Sequence, residues 1–272
     1  MLQLILKSRI RFPRLSVQPI RVSFKNAHAS KTRIQRLYDD GIDLKQQSVE
    51  INALERIRRC TFYKDVDIWT FYKTLCPNVR TLGDVLEEGC VASKDGPCLG
   101  HLQSSGSVKS VEWLSYSMVI ERSCYIGSHL WSTVKLTPMQ SKVAIISSNR
   151  AEYLLVEHGC YMYGFIVVGL YTSYDTATIL NVLQRTQTEV LVVDSLERIQ
   201  SFEKELLNND QIKEILIMDE ISCDNNSKIR SIPSILKTMK ANDLCPRPTI
   251  DPHSIATFIM TSGTTGKTKK DG

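Results

Sequence analysis

Four short, almost wholly apolar runs constrain this chain more than any other feature. Lys142-Val143-Ala144-Ile145-Ile146-Ser147, Phe165 to Leu170, Val190 to Asp194 and Ile215 to Asp219 are rich in β-branched residues and too short for buried helices. Runs of this kind form strands covered on both faces. Between them the apolar spacing widens to three or four residues. Asn149 is placed to cap a helix bearing Tyr153, Leu154, Glu157, Cys160 and Tyr161. Asp175 or Thr176 caps Ile179-Leu180 and Val182-Leu183, and a further helix is predicted from Leu196 to Leu207. Strand and helix alternating at this length predict an α/β fold, a mostly parallel sheet with helices on both faces.

Upstream, Thr81 is placed to cap a helix through Leu82, Val85 and Leu86. Two short strands are expected over Cys98 to Leu102 and Val111 to Leu114, joined by a Ser/Gly-rich turn from Gln103 to Ser107. A long helix starts at Ser115 or Ser117 and runs towards Val134. Residues 39 to 80 have weak periodicity, and their aromatics Phe62, Tyr63, Trp69, Phe71 and Tyr72 predict an extended, ring-clamped stretch with little regular structure. Downstream, Ser231 to Met239 is a further helix; Pro246, Pro248 and Pro252 then lead in extended form to a last strand, Ser254 to Met260. Asp194 and Asp219 each close a strand, where an acid can meet a ligand at the sheet's carboxyl edge or, more commonly, cap the next helix.

Charge is unevenly placed. The net charge is +5 over 272 residues, yet residues 1 to 38 hold Lys7, Arg9, Arg11, Arg14, Arg21, Lys25, Lys31, Arg33 and Arg36 with no acid. The remaining chain is slightly acidic, which excludes a basic nucleic-acid-binding domain. With Ser8, Ser16, Ser23 and Ser30, residues 1 to 38 are Arg-rich, Ser-containing and acid-free, as in mitochondrial presequences; they are expected to form a disordered basic leader that targets the protein. No stretch approaches the roughly 18 uninterrupted apolar residues of a membrane-spanning helix, so membrane association would be peripheral. Eight cysteines include no Cys-x-x-Cys pair, and the five histidines, at 28, 101, 129, 158 and 253, show no partner spacing. Neither a zinc site nor a disulfide framework is indicated, no metal ligand is assigned, and an intracellular protein is expected.

The last strand breaks directly into Thr261-Ser262-Gly263-Thr264-Thr265-Gly266-Lys267-Thr268-Lys269-Lys270. Glycines admit an anion close to backbone N–H groups, hydroxyls donate, and lysines supply charge, which is chemistry for holding phosphate. A Walker-type loop needs Gly, four residues, then Gly-Lys-Ser/Thr. Counting back from Gly266-Lys267-Thr268, that first glycine falls on Thr261 and the match fails. Thr261 to Gly266, followed by Lys269, instead resembles the signature loop of the adenylate-forming, AMP-binding superfamily. Thr268 and Lys270 depart from it, standing where the family has Pro and Gly.

The resemblance extends upstream through Asp43 to Glu50, Gly96-Pro97-Cys98-Leu99-Gly100, Glu112-Trp113-Leu114-Ser115-Tyr116, Asn149-Arg150-Ala151-Glu152-Tyr153 and Leu170-Tyr171, in the order seen in long-chain fatty acyl-CoA synthetases. Ala151, Gly169 and Thr172 replace a Pro, a Pro and an Asp of that pattern. The resemblance implies that residues 39 to 272 are the N-terminal portion of a large adenylation domain. It implies a long-chain fatty acid, ATP and coenzyme A as substrates, with Mg²⁺ beside the phosphates. Thr261, Ser262, Gly263, Thr264, Thr265, Gly266 and Lys269 would bind the ATP phosphates, and the catalytic groups would lie beyond Gly272. The 272-residue chain alone is therefore expected to be an inactive fragment. Family members often sit on the endoplasmic reticulum or the mitochondrial outer membrane, so either membrane is an expected location. The alternatives left open are a ligase for another carboxylic acid and a non-catalytic remnant of the fold.

Overall fold

The computed structural model describes residues 46–61, 64, 67, 70, 72, 73, 76–105, 108–221 and 228–260. The leader at 1 to 38 and the loop from Thr261 to Lys269 lie outside the described residues. The chain divides into two compact units, 1–77 and 78–272.

In the first unit, β1 (Ser48–Asn52) pairs antiparallel with β2 (Ile57–Cys60). The turn between them is built by Asn52, whose Oδ1 accepts the N–H groups of Leu54 and Glu55, and by Arg56 at φ 52°. A short Asx turn of this kind closes a ribbon without an apolar core. The expectation of little regular structure over 39 to 80 is corrected here. Charged side chains on Arg58 and Arg59 blur the alternation, but Arg58 is used within the ribbon, donating to the Ser48 carbonyl at 2.9 Å.

The second unit is a six-stranded, all-parallel sheet in the order β10-β6-β5-β7-β8-β9, with a separate two-stranded ribbon. The sheet strands are β5 (Lys142–Ile146), β6 (Ile166–Gly169), β7 (Thr188–Val193), β8 (Glu214–Ile217), β9 (Ile229–Ser231) and β10 (Thr257–Ile259). The ribbon pairs β3 (Pro97–Ser105) with β4 (Val108–Ser115), so strand covers most of the turn predicted at Gln103 to Ser107. The helices are α1 (Val85–Ser93), α2 (Tyr116–Ser132), α3 (Ala151–Tyr163), α4 (Thr176–Thr186), α5 (Glu203–Leu207) and α6 (Ile232–Thr238). None of the helices among the described residues is long and apolar enough to cross a membrane.

Alternation along each strand divides the core into two layers, because successive side chains leave opposite faces of a sheet. Val143, Ile145, Val167, Val190, Val192 and Leu216 face one way and pack on α2, α3 and α6. Ala144, Ile146, Val168, Leu191, Val193, Ile215 and Ile217 face the other way, against Ile179 and Leu183 of α4 and Leu206 of α5. On the first face α2 and α3 meet backbone to backbone. A Cβ on Gly127 would stand 2.2 Å from the Tyr163 ring and 2.7 Å from the Gly159 carbonyl oxygen, so only glycine permits this crossing.

Helix starts follow the sequence in part. Ser115 Oγ accepts Met118 N–H, Asp175 Oδ1 accepts Thr178 N–H at 2.8 Å, and Ser231 Oγ accepts Ser234 N–H. The residue at the start of α3 is Arg150, not Asn149, and its side chain caps nothing. The predicted helix from Leu196 to Leu207 is replaced by a 3-10 turn at Leu196–Arg198 and the five-residue α5. Its physical reason is Phe202, 2% exposed, whose φ of −137° and ψ of 19° put the ring in the core and interrupt the helix.

Candidate phosphate-binding edge

All six sheet strands point the same way, so their C-terminal ends share one edge, where ligands of open α/β sheets bind. β10 ends at that edge, and Met260 follows it as the last described residue. The strand is held by few groups: Thr257, Phe258 and Ile259 pair with Val167, Val168 and Gly169, while Phe258 and Met260 pack on the α4 side of the sheet. Two hydroxyls reinforce it. Thr257 Oγ1 donates to the Val167 carbonyl at 3.1 Å, and Tyr171 Oη donates to the Met260 carbonyl at 3.1 Å.

Three strands along the sheet, β7 is followed directly by Asp194, which is 8% exposed. Its carboxylate accepts the N–H groups of Ser148 and Ser195, each at 3.1 Å, and Arg198 Nη2 at 2.7 Å. Burial alone would raise its pKa; the Arg198 guanidinium and the two N–H donors outweigh it and hold the carboxyl at about 2. Asp194 thus ties the β5 exit loop to β7 at the point where the strand order reverses. At the end of β8, Asp219 accepts Arg150 Nη1 at 2.7 Å, while Arg150 Nε donates to Glu152 at 2.8 Å. Of the two roles weighed for these acids, neither is simple capping: each is an ion-pair partner. Sequence reading missed Arg150 and Arg198 as their mates, although the spacing from Asp194 to Arg198 is the helical i, i+4 interval.

At this edge three acids, Asp194, Asp219 and Glu152, are paired with two arginines, Arg198 and Arg150, so these residues present no net positive charge to a phosphate. The same pairing bears on Mg²⁺, which needs oxygen ligands in a tight octahedron. Asp194, Asp219 and Glu152 already face guanidinium groups and do not fit such a site. Among the described residues no group of three or more His, Cys, Asp or Glu side chains is placed to hold a metal. The site residues proposed from the sequence, Thr261, Ser262, Gly263, Thr264, Thr265, Gly266 and Lys269, all fall outside the described residues; the structure places only the strand that leads to them.

Other chemistry-bearing groups lie elsewhere. His129 Nε2 sits 2.8 Å from Glu214 Oε2 at the opposite edge, both side chains 6% exposed, and Arg230 Nε donates to the other Glu214 oxygen at 3.0 Å. A cavity of about 200 Å³, also at that opposite edge, is lined by Arg80, Asp84, Met162, Arg247 and Thr249 among others. Arg247 there is tied to Glu87 at 2.8 Å. With Asp84 and Glu87 against its two arginines, this cavity gathers no net charge for a polyphosphate.

Comparison with known proteins agrees with this architecture. The profile of AMP-binding enzymes matches residues 91–270. Long-chain-fatty-acid–CoA ligase 1 of Cavia porcellus is 32% identical over 239 residues, 84% of this chain and 33% of its own length. The chain thus spans about a third of such relatives. Among solved structures, the A domain of carboxylic acid reductase from Segniliparus rugosus, in complex with AMP and a co-purified carboxylic acid, superposes with a TM-score of 0.52 at 17% identity. That match covers 67% of this chain and 34% of the other. A putative long-chain-fatty-acid CoA ligase from Rhodopseudomonas palustris gives 0.52 at 14% identity, covering 67% and 42%. At those identities the structures speak for the fold alone. The residues matched by the profile run from α1 through the sheet and into the hydroxyl- and glycine-rich segment, and the chain belongs to the AMP-binding enzyme family.

Proposed function

We propose that this chain is the N-terminal portion of an ATP-dependent long-chain fatty acid–CoA ligase, and that its part in the reaction is to hold the β- and γ-phosphates of ATP. In the first half-reaction a fatty acid carboxylate oxygen bonds to the α-phosphorus and the α–β bridging bond breaks, releasing pyrophosphate. In the second, the coenzyme A thiolate bonds to the acyl carbon and AMP leaves. Thr261 to Gly266 would supply N–H and hydroxyl donors, and Lys269 the charge, to the departing pyrophosphate. The observation that carries this reading is β10: a parallel strand ending at the ligand edge of the sheet, continuous with the loop that the AMP-binding profile spans. Long-chain acids are favoured over other carboxylates by the similarity to fatty-acid ligases across 84% of the chain.

The first test is pyrophosphate and ATP binding by the purified 272-residue protein. Lys269→Ala should weaken both by at least about tenfold, about 1.4 kcal/mol, at one charge-assisted contact. Equal affinities in the two proteins would overturn the assignment of the loop. Substrate class is tested by competition among palmitate, octanoate and benzoate in the longer protein that carries this chain, where palmitate should win. Residues 1 to 38, proposed as a targeting segment to a mitochondrial or endoplasmic reticulum membrane, are tested by fusing them to a fluorescent reporter.

A further inference from the structure

Tyr153, Glu157 and Tyr161 recur at four-residue spacing, so they form one stripe along α3, and all three are half-buried. The stripe runs beside the outer strand of the sheet. A Cβ built on Gly169 would stand 3.5 Å from Tyr153 Oη, and Tyr161 Oη hydrogen-bonds with Thr257. In the β6–β10 ladder Gly169 is level with Ile259, and Val167 with Thr257. Two phenols therefore flank one carboxylate along the side of α3 next to β10. The His158 ring meets Tyr161 edge-on, with centroids 5.8 Å apart, and steadies that end of the stripe.

Glu157 is short of partners. Tyr161 Oη donates to its Oε1 at 3.0 Å, and it has no cation partner among the described residues. Other enclosed acids are served differently: Glu152 by Arg150, Glu214 by Arg230 and Asp194 by Arg198. Burial accordingly pushes the Glu157 carboxyl above its ordinary range, against the pull of the Tyr161 hydroxyl, whereas Asp194 is held low. A half-buried carboxylate loses hydration that one phenol does not offset, so the stripe is complementary to a cation. Arginine fits better than lysine, because its planar fork can bond the second carboxylate oxygen while its face stacks on a tyrosine ring.

The surroundings suit a polypeptide rather than a free amine. Ile259 lies on the same sheet face as Thr257 and is 75% exposed, and among the described residues β10 has no strand on its outer side. A small cation would leave both uncovered. We propose that Glu157, between Tyr153 and Tyr161, is a socket for one arginine of a further segment of the longer polypeptide, packed along α3 beside β10. The inference rests on the proposed reading of the chain as part of a longer ligase, about a third of which it spans. It uses none of the phosphate chemistry.

Glu157→Gln is compared by thermal melts in the 272-residue protein and in the longer protein that carries it. In the longer protein p-benzoylphenylalanine also replaces Ile259, and its photo-crosslinks are mapped by peptide sequencing. The expected result is a melting temperature unchanged within about 1 °C, or raised, in the 272-residue protein and lowered by about 3 to 6 °C in the longer one. The crosslink should fall beside an arginine of the same molecule, and glutamate in place of that arginine should recover at least about half the loss seen in Glu157→Arg. An equal response of the two proteins to Glu157→Gln overturns the inference. So does a crosslink to a second copy, to lipid or to a segment without arginine. Palmitoyl-CoA synthesis by the longer protein is measured alongside: no synthesis with the arginine crosslink in place overturns the proposed function and leaves the socket standing, while synthesis without it does the reverse.

Discussion

β5 and β10 are parallel strands of one sheet, and they are held in opposite ways. β5 has a strand on each side and a helical layer on each face; Val143, Ala144 and Ile145 are 0% exposed and Ile146 is 1% exposed. β10 has three residues, one strand neighbour among the described residues, and an outermost side chain in solvent. The central strand is enclosed on every side, while the strand that leads to the proposed phosphate-binding segment has the more exposed end. Stability concentrated in the centre lets the ligand edge open locally without unfolding the rest.

The largest expected effect breaks this contrast most directly. Ile145→Ala should cost about 3 to 4 kcal/mol in urea unfolding, because a fully enclosed site cannot collapse around the lost carbons. Ile259→Ala should stay within about 0.5 kcal/mol. Similar costs at the two sites would remove the distinction. Gly127→Ala tests whether the cover over β5 is equally rigid. With an aromatic ring at 2.2 Å and a carbonyl at 2.7 Å from the added carbon, a loss of about 2 to 3 kcal/mol is expected, read as a lower urea midpoint at unchanged slope.

At the edge itself, Asp194 sharpens the comparison through pH. Its folded pKa of about 2 lies below the ordinary 3.8, so its contribution is complete above about pH 4 and is lost as pH falls through about 2. Allowing for solvent screening around Arg198, that contribution is about 1 to 2 kcal/mol. Asp194→Asn should lower stability at pH 7 and flatten its acid dependence between pH 4 and pH 2; an unaltered acid slope would remove the carboxylate from the account. The smallest effect concerns β10 alone. The Val167 amide, bonded to the Ala256 carbonyl, should exchange with solvent deuterium faster than the Leu170 amide on Ile145, as expected if β10 detaches while β5 stays paired.

Much of this contrast was legible in the sequence. The strands of the centre announce themselves because burial on both faces removes polar residues; Val190 to Val193 and Ile215 to Met218 have no polar member. Local signals such as the Asp175 and Ser231 caps depend on neighbours three residues away and were equally readable for position. The β1–β2 ribbon was not, because two strands that bury little show no apolar alternation. Helix α5 came out short because the inward turn of Phe202 is a tertiary demand. At the sheet edge, Arg150 with Asp219 and Tyr171 with Met260 join partners 69 and 89 residues apart, which no local spacing records.

The outermost place of β10 has a consequence for synthesis. Thr257 pairs with Val167, ninety residues earlier, whereas β5 to β9 pair among themselves before residue 232 is made. On a ribosome, the five-stranded part can assemble from its own segments, and β10 joins a finished template as the last addition. If residues 261 to 269 bind phosphate as proposed, that grip follows the joining of β10 to a sheet already assembled from β5 to β9.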